Sequence, residues 1–461
     1  MYRFALCIIA AALAAACARP RPLTAIEIDR RAEHLSVEGR WDEASQLIER
    51  GLAEARERRD QAAEARLLLR RGHAQTERTR HRGGDRAPAL ADLEVARSKA
   101  AAIGDRALLA AAIDAIGMHG FVHWFSTQDA SELAAAERLF LEALAIRKAL
   151  SDSPGLAESH FHAGLIHQMR NEQAAAHGEF EQALAVAERV HDPLQMSHAT
   201  RHLGYLAELR QAWPEAEEYY RRSLELREQV GDGPGVAAAQ VTLAELRYAR
   251  HGDAEPPLQL LARARDGAAR TRSPVYVAIA SAAIARIDRD RGRYDVALRA
   301  LADALRAMDE IHSDEDVPEM YEQMALIHLL RGDPASAVAD AERGLARRPS
   351  PRREALRAWA QAWQQRSVAA KKATTATASQ VASELTSGAQ DAVVEARRAL
   401  AAGDANAGLE AALRGDDPDT LLLAARAVGE AGFDRAIAAA AKLSRAQELR
   451  FVREKAAGAL R

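Results

Sequence analysis

The 461-residue chain is 48% hydrophobic and 28% charged, a balance typical of a folded protein rather than a disordered one. Lysine and arginine total 63 against 66 acidic residues, so a net charge of −3 gives no general attraction for nucleic acid. Aromatic residues make up only 5%, while alanine, leucine and arginine recur. Such unbranched side chains lose little rotamer freedom in a helix, so we expect an almost entirely helical protein.

The N-terminus has the pattern of an export signal. Arg3 is followed by the apolar run 4–16, which is too short to span a bilayer but suits a signal-peptide core. The next residues, Leu-Ala-Ala-Ala-Cys ending at Cys17, resemble the lipobox of bacterial lipoproteins, although its usual leucine is replaced by Ala14. The resemblance implies lipid attachment at Cys17 and stable anchoring without a transmembrane helix. The alternative is ordinary secretion, because small residues here also offer a cleavage site.

These residues give the first two segments of the chain: a signal peptide over 1–16, and an acylated cysteine with a short tether over 17–23. Removal of the signal would take Cys7 with it and leave no thiol for disulfides or metal. We expect a lipid-anchored protein of the bacterial cell envelope, with the outer membrane favoured because Ala18 is not the aspartate that resembles an inner-membrane retention signal. The alternative is a soluble periplasmic or secreted protein.

A repeat follows. It consists of a small residue, a bulky residue four positions later and a second small residue three positions beyond that. The clearest copies are Ala136-Phe140-Ala143, Ala176-Phe180-Ala183, Ala216-Tyr220-Ser223 and Ala297-Leu301-Ala304. Twelve residues before most of the leading alanines stands another small residue, such as Gly164 or Gly204, in a helical run. Small residues let paired helices approach closely, and the bulky side chain fills the gap to the next hairpin.

Together with the loops Gly39-Arg-Trp41, Gly292-Arg-Tyr294 and Gly332-Asp-Pro334, this pattern resembles the tetratricopeptide repeat. The resemblance implies an all-α fold, a right-handed superhelical α-solenoid of stacked antiparallel helix hairpins. The repeat step of ~40 residues exceeds the minimal ~34 of that family. We expect about eight hairpins over 24–349, then a helical and low-complexity linker over 350–389 and a C-terminal helical cap or degenerate repeats over 390–461.

The sequence contains no glycine-rich phosphate loop, nucleophile elbow, paired-cysteine metal site or His-Glu-x-x-His helix. We therefore expect neither catalysis nor a cofactor. His119 and His123 lie four residues apart, as do His198 and His202, a spacing that suits a metal on one helix face. No third ligand stands at a fixed distance from either pair, so we interpret them as structural and expect no metal.

By analogy with the tetratricopeptide family, the first helices of the hairpins form a concave wall that binds a partner. Alignment on the small residues nominates the following side chains on that wall: His198, Arg201, Tyr205, Glu208, Glu245, Tyr248, Arg286 and Arg289. This surface mixes charges and aromatic groups, which favours a protein or peptide partner. The sequence thus indicates a non-catalytic protein-interaction scaffold, and the alternative is a regulatory sensor that closes on a small molecule or signalling peptide.

Overall fold

The computed structural model describes residues 23–364, except 128, 252–253, 315, 351 and 362–363, and then separate short stretches between 392 and 436. The signal peptide, Cys17 and most of the predicted linker lie outside the described residues. Every regular element of the described part is a helix, which confirms the predicted all-α fold.

The helices from residue 25 to residue 347 follow one another with short turns between them. They are α1 (Ala25–Val37), α2 (Trp41–Glu57), α3 (Gln61–Arg82), α4 (Ala87–Ile103), α5 (Arg106–Thr127), α6 (Ala130–Leu150), α7 (Ser153–Met169), α8 (Gln173–Val190), α9 (Pro193–Leu209), α10 (Trp213–Val230), α11 (Gly233–His251), α12 (Glu255–Arg270), α13 (Pro274–Asp290), α14 (Tyr294–Glu310), α15 (Val317–Leu330) and α16 (Pro334–Arg347). Neighbouring helices pack as hairpins.

The chain divides into two compact units. The described residues of the first unit are 23–80 and 85–233, and those of the second are 81–84 and the residues from 234 onward. In the second unit, one hydrophobic core joins Leu329 of α15 with the fully buried Trp359 and with Leu409 of a further helix, Ala405–Ala412. The described C-terminal residues therefore extend the packing of the second unit.

Two helix junctions each contain a left-handed residue that ends one helix and an aspartate that caps the next. Gly104 ends α4 in the left-handed conformation at φ 74°, which costs a residue without Cβ little. The carboxylate of Asp105 then accepts a hydrogen bond from the backbone N–H of Leu108 at 2.9 Å. Asp192 caps α9 in the same way through the N–H of Gln195 at 3.0 Å. Each cap satisfies a backbone donor that the helix itself cannot pair.

A glycine and an aromatic ring face each other inside three consecutive hairpins of the first unit. A Cβ placed on Gly164 would lie 2.5 Å from the ring of Phe180, closer than carbon atoms can approach. The same contact pairs Gly117 with Phe140 and Gly204 with Tyr220. Glycine is therefore required at these positions, because the ring occupies the space that any side chain would need.

The same rings extend to the following hairpin. Phe140 lies 4.7 Å from the imidazole of His162, and Phe180 lies 5.0 Å from that of His202, measured between ring centroids. Both phenylalanines are fully buried. One aromatic side chain thus packs against its own hairpin and the next one, as the sequence pattern predicts.

The helix α5 spans 22 residues and contains Gly117. Its segment Arg106–Trp124 is long and apolar enough to cross a membrane by length and composition, and 61% of that segment is buried inside the protein. A core helix passes the same test, so this segment is weak evidence for a membrane span.

Candidate binding surface

In the second unit, first helices of three successive hairpins meet around a pocket of about 170 Å³. Two lining residues come from α11 and α13 and belong to the predicted concave wall: Glu245 and Arg286. The other lining residues are Ile279, Ala282, Ala283, Asp316, Glu319, Met320 and Gln323. The pocket thus combines an apolar lining with several polar side chains.

One side of the pocket is formed by an ion pair between two helices. The guanidinium of Arg286 donates a hydrogen bond to the carboxylate of Glu245 at 2.8 Å. The two residues are forty-one positions apart in the sequence, one on α11 and one on α13. This contact fixes both side chains at the mouth of the pocket, although a pair that is partly exposed adds little to stability.

The opposite side is formed by α15. Glu319 is held through its Oε1 atom by Arg353, whose own side chain is buried. The Oε2 atom of Glu319 and the Oε1 atom of Gln323 are buried and accept no hydrogen bond within the described part of the chain. A buried acceptor without a donor costs about 1–3 kcal/mol, so such atoms are uncommon in native proteins.

Two other predicted surface residues of the second unit form a separate network. Tyr248 donates a hydrogen bond from its hydroxyl to Asp290 at 3.1 Å. Burial, with the negative charge of Asp290, raises the pKa of Tyr248 to about 12. Arg289 is only 3% exposed, and its guanidinium also donates to Asp290. The assignment of Arg289 to an open surface was therefore wrong, because neighbouring residues cover its side chain.

The four predicted residues of the first unit all lie on α9, with different surroundings. Tyr205 is 40% exposed, and Leu209, one turn further along, is 44% exposed. Glu208 accepts a hydrogen bond from the hydroxyl of Tyr220 at 2.7 Å, which ties it to the next helix. Tyr205 is thus the member of this set that offers the most open surface to a partner.

The imidazole of His198 lies against the ring of Phe161, with 5.3 Å between centroids. Burial, followed by the charge of Arg227, lowers the pKa of His198 to about 3. Burial and the nearby Arg201, whose guanidinium lies 3.2 Å from the second imidazole, likewise hold the pKa of His202 well below its usual range. Both histidines are therefore neutral at physiological pH, in agreement with a structural role.

A buried ionic cluster in the first unit was not predicted from the sequence. The guanidinium of Arg147 lies 2.7 Å from Glu158 and 3.5 Å from Asp114, and it also donates to Ser159. The imidazole of His162 lies 3.0 Å from the carboxylate of Asp114. These residues come from α5, α6 and α7, so no local sequence motif predicts the cluster.

The ligand atoms of Asp114, Glu158 and His162 lie within 4.8 Å of one another, a spacing that could hold a metal ion. Arg147 contacts both carboxylates and already supplies positive charge there. Burial opposes ionisation of His162, but Asp114 and then Glu158 outweigh it and raise the pKa of that imidazole. We interpret the group as an ion-pair network rather than a metal centre, because the guanidinium of Arg147 already contacts both carboxylates.

Residues 195–270, from α9 into α12, match the family model of the tetratricopeptide repeat. This segment is therefore similar to the tetratricopeptide repeat. This match includes Tyr205, Glu245 and Tyr248 of the predicted surface. No curated protein matches the sequence.

Solved structures of other repeat proteins have a similar fold. The Cut9–Hcn1 hetero-tetramer of the APC/C aligns at 15% identity with a TM-score of 0.53, over 72% of this chain and 54% of that one. A Rap protein complexed with Competence and Sporulation Factor aligns at 14% identity with a TM-score of 0.51, over 76% and 98%. At these identities the likeness concerns the fold alone.

The neutral histidines predict acid sensitivity. The pKa of His198 in the folded chain, about 3, lies below that of an unfolded histidine. The neutral His198 side chain therefore contributes fully to stability above pH ~6.5, and this contribution is lost as the pH falls toward the pKa of the folded chain. We expect protonation of His198 to lower the free energy of unfolding by at most ~1 kcal/mol per pH unit between pH ~6.5 and 5, as measured by urea unfolding. Solvent screening makes the effect smaller.

His198→Gln should reduce this pH dependence, because glutamine takes up no proton. The matched control is His34→Gln, at a side chain that is 66% exposed, which should leave the pH dependence as it is. Equal slopes for wild type and His198→Gln would contradict the assignment of a strongly lowered pKa to His198.

Proposed function

We propose that the chain is a non-catalytic scaffold that binds a peptide or protein partner along the first helices of its hairpins. The observation that carries this proposal is the pocket at which α11, α13 and α15 converge, with Glu245 and Arg286 at its edge. Three successive repeats contribute to one recess there, as expected for a solenoid that binds an extended segment of a partner. The repeat match supports a polypeptide partner, and so do the two similar folds, one in the Cut9–Hcn1 hetero-tetramer and one in a Rap protein complexed with Competence and Sporulation Factor.

In the first unit, Tyr205 is a separate proposed contact with a partner. Its ring is exposed, and tyrosine gains a large contact area at small entropic cost when it binds a partner. The exposed Leu209 adds apolar surface one turn away. A partner that follows α9 would therefore bury an aromatic and an aliphatic side chain together.

We further propose that this scaffold is anchored in the bacterial envelope through lipid on Cys17. The apolar run 4–16 and the alanine-rich residues before Cys17 support this location. The lipid would hold the repeats beside a membrane-bound partner without a membrane-spanning helix.

A regulatory sensor is the second candidate, and the small volume of the pocket favours it. A recess of about 170 Å³ suits one side chain or one small molecule. A sensor of this kind would bind the ligand in the second unit and need no macromolecular partner on α9.

The anchor can be tested by metabolic labelling. The wild-type chain in its native bacterium should incorporate labelled palmitate and sediment with membranes, whereas Cys17→Ser should do neither. The matched control, Cys7→Ser, should keep the label because Cys7 leaves with the signal peptide. Palmitate on the Cys17→Ser protein would rule out this attachment site.

Photo-crosslinking in native cells tests the binding surface. We expect p-benzoylphenylalanine at position 205 to form an adduct with a specific protein, because Tyr205 is on the proposed surface. Position 141 on α6 is the matched control, since Leu141 is 54% exposed but belongs to a second helix. Adducts at position 141 but none at position 205 would contradict the proposed surface, and no adduct at either position would favour the sensor.

A further inference from the structure

We propose that the pocket between α11, α13 and α15 binds the basic side chain of an arginine or lysine in a polypeptide partner. This inference rests on the proposed function, because it names what the first helices recognise. It is carried by the polar atoms of the pocket, by its apolar lining and by its volume.

The pocket offers acceptors that lack donors. Glu319 Oε2 and Gln323 Oε1 are buried and accept no hydrogen bond from any described residue. The cations next to the lining already have partners in it: Arg353 and Arg348 contact Oε1 of Glu319, and Arg286 donates to Glu245. A ligand that brings donors would therefore remove an existing penalty.

Ammonium and guanidinium groups fit this requirement because they donate hydrogen bonds and accept none. The lining contains the carboxylates of Glu245, Asp316 and Glu319 and the guanidinium of Arg286, while Arg353 and Arg348 contact the Oε1 atom of Glu319. A cation would form charge-assisted hydrogen bonds there, which are stronger than neutral ones. A carboxylate ligand would instead face acceptors and like charges.

The remaining lining suits the aliphatic stem of such a side chain. Ile279, Ala282, Ala283 and Met320 contribute apolar groups to the wall. Lysine and arginine bury their methylene groups against apolar surface while the charged end makes polar contacts. A volume of about 170 Å³ admits one long side chain, whereas a helix of ~10–12 Å diameter is too wide to enter.

Methyl NMR of the full chain with ¹³C-labelled methionine gives a direct test, because the Met320 methyl group reports on the pocket wall. The probes are N-acetyl-argininamide and N-acetyl-lysinamide, with N-acetyl-citrullinamide as the uncharged isostere of the first. We expect a saturable shift of the Met320 resonance with at least one basic probe. The citrulline probe should bind at least ~10-fold more weakly, because it lacks the charge.

Substitutions localise the effect. Asp316→Asn removes a charge and keeps a residue that tolerates the left-handed conformation seen at φ 58°, while Gln323→Leu removes an acceptor. Both should weaken binding of the basic probe by ~3–10-fold, the loss of one polar contact. Asp303→Asn on α14 is the matched control, since it changes net charge equally but lies outside the pocket lining, and its affinity should equal that of wild type.

Two results would overturn the proposal: a Met320 resonance that no basic probe shifts, or equal binding of the arginine and citrulline probes. n-Butylguanidine has the same guanidinium and the same single charge without a peptide backbone, and tighter binding of n-butylguanidine than of N-acetyl-argininamide would exclude a polypeptide as the source. A position-205 adduct together with an unresponsive Met320 would reject this pocket but leave the scaffold proposal intact. A shift of the Met320 resonance without any adduct at position 205 would support a pocket for a basic group but contradict the scaffold proposal.

Discussion

The contact between a helix glycine and an aromatic ring sets the geometry of the hairpins in the first unit. Phe180 fills the space in which Gly164 has no side chain, so α7 and α8 can approach closely. The same ring then lies against His202 of the next first helix. Because one side chain sets both spacings, the position of each first helix depends on the ring before it, and so does the surface that those helices present.

Among the described residues of this packing, buried titratable groups are accommodated in two ways: some are paired with an opposite charge, and others are kept neutral. Asp114, Arg147, Glu158 and His162 bring charges of both signs together, and removal of one partner would leave an uncompensated buried charge. His202 instead stays neutral, because burial holds its pKa low. Its Nδ1 atom lies 2.8 Å from the amide oxygen of Gln168. In the pocket of the second unit, Glu319 Oε2 and Gln323 Oε1 accept no hydrogen bond from the described residues, and these two atoms are the reason to propose a binding site there.

Local spacing predicted the helices, their close approach at small residues and the bulky side chains between hairpins, because each of these depends on residues that are close in sequence. Glu245 and Arg286 were named from the same alignment, and they meet at one pocket. The acceptors of Glu319 and Gln323 were not foreseen, since they matter only when three helices converge. Arg289 was misplaced for a related reason: a sequence does not tell which neighbouring residues cover a given helix stripe.

The most direct test of this account compares two glycines of the same hairpin by urea unfolding. Gly164→Ala places a methyl group against the ring of Phe180 and should destabilise the chain by ~1–3 kcal/mol. Gly178→Ala on α8 meets open space, and it should stabilise the chain by ~0.5–1 kcal/mol because alanine is the better helix former. Equal stabilisation by both substitutions would show that the glycine–ring contact does not set the spacing of the helices.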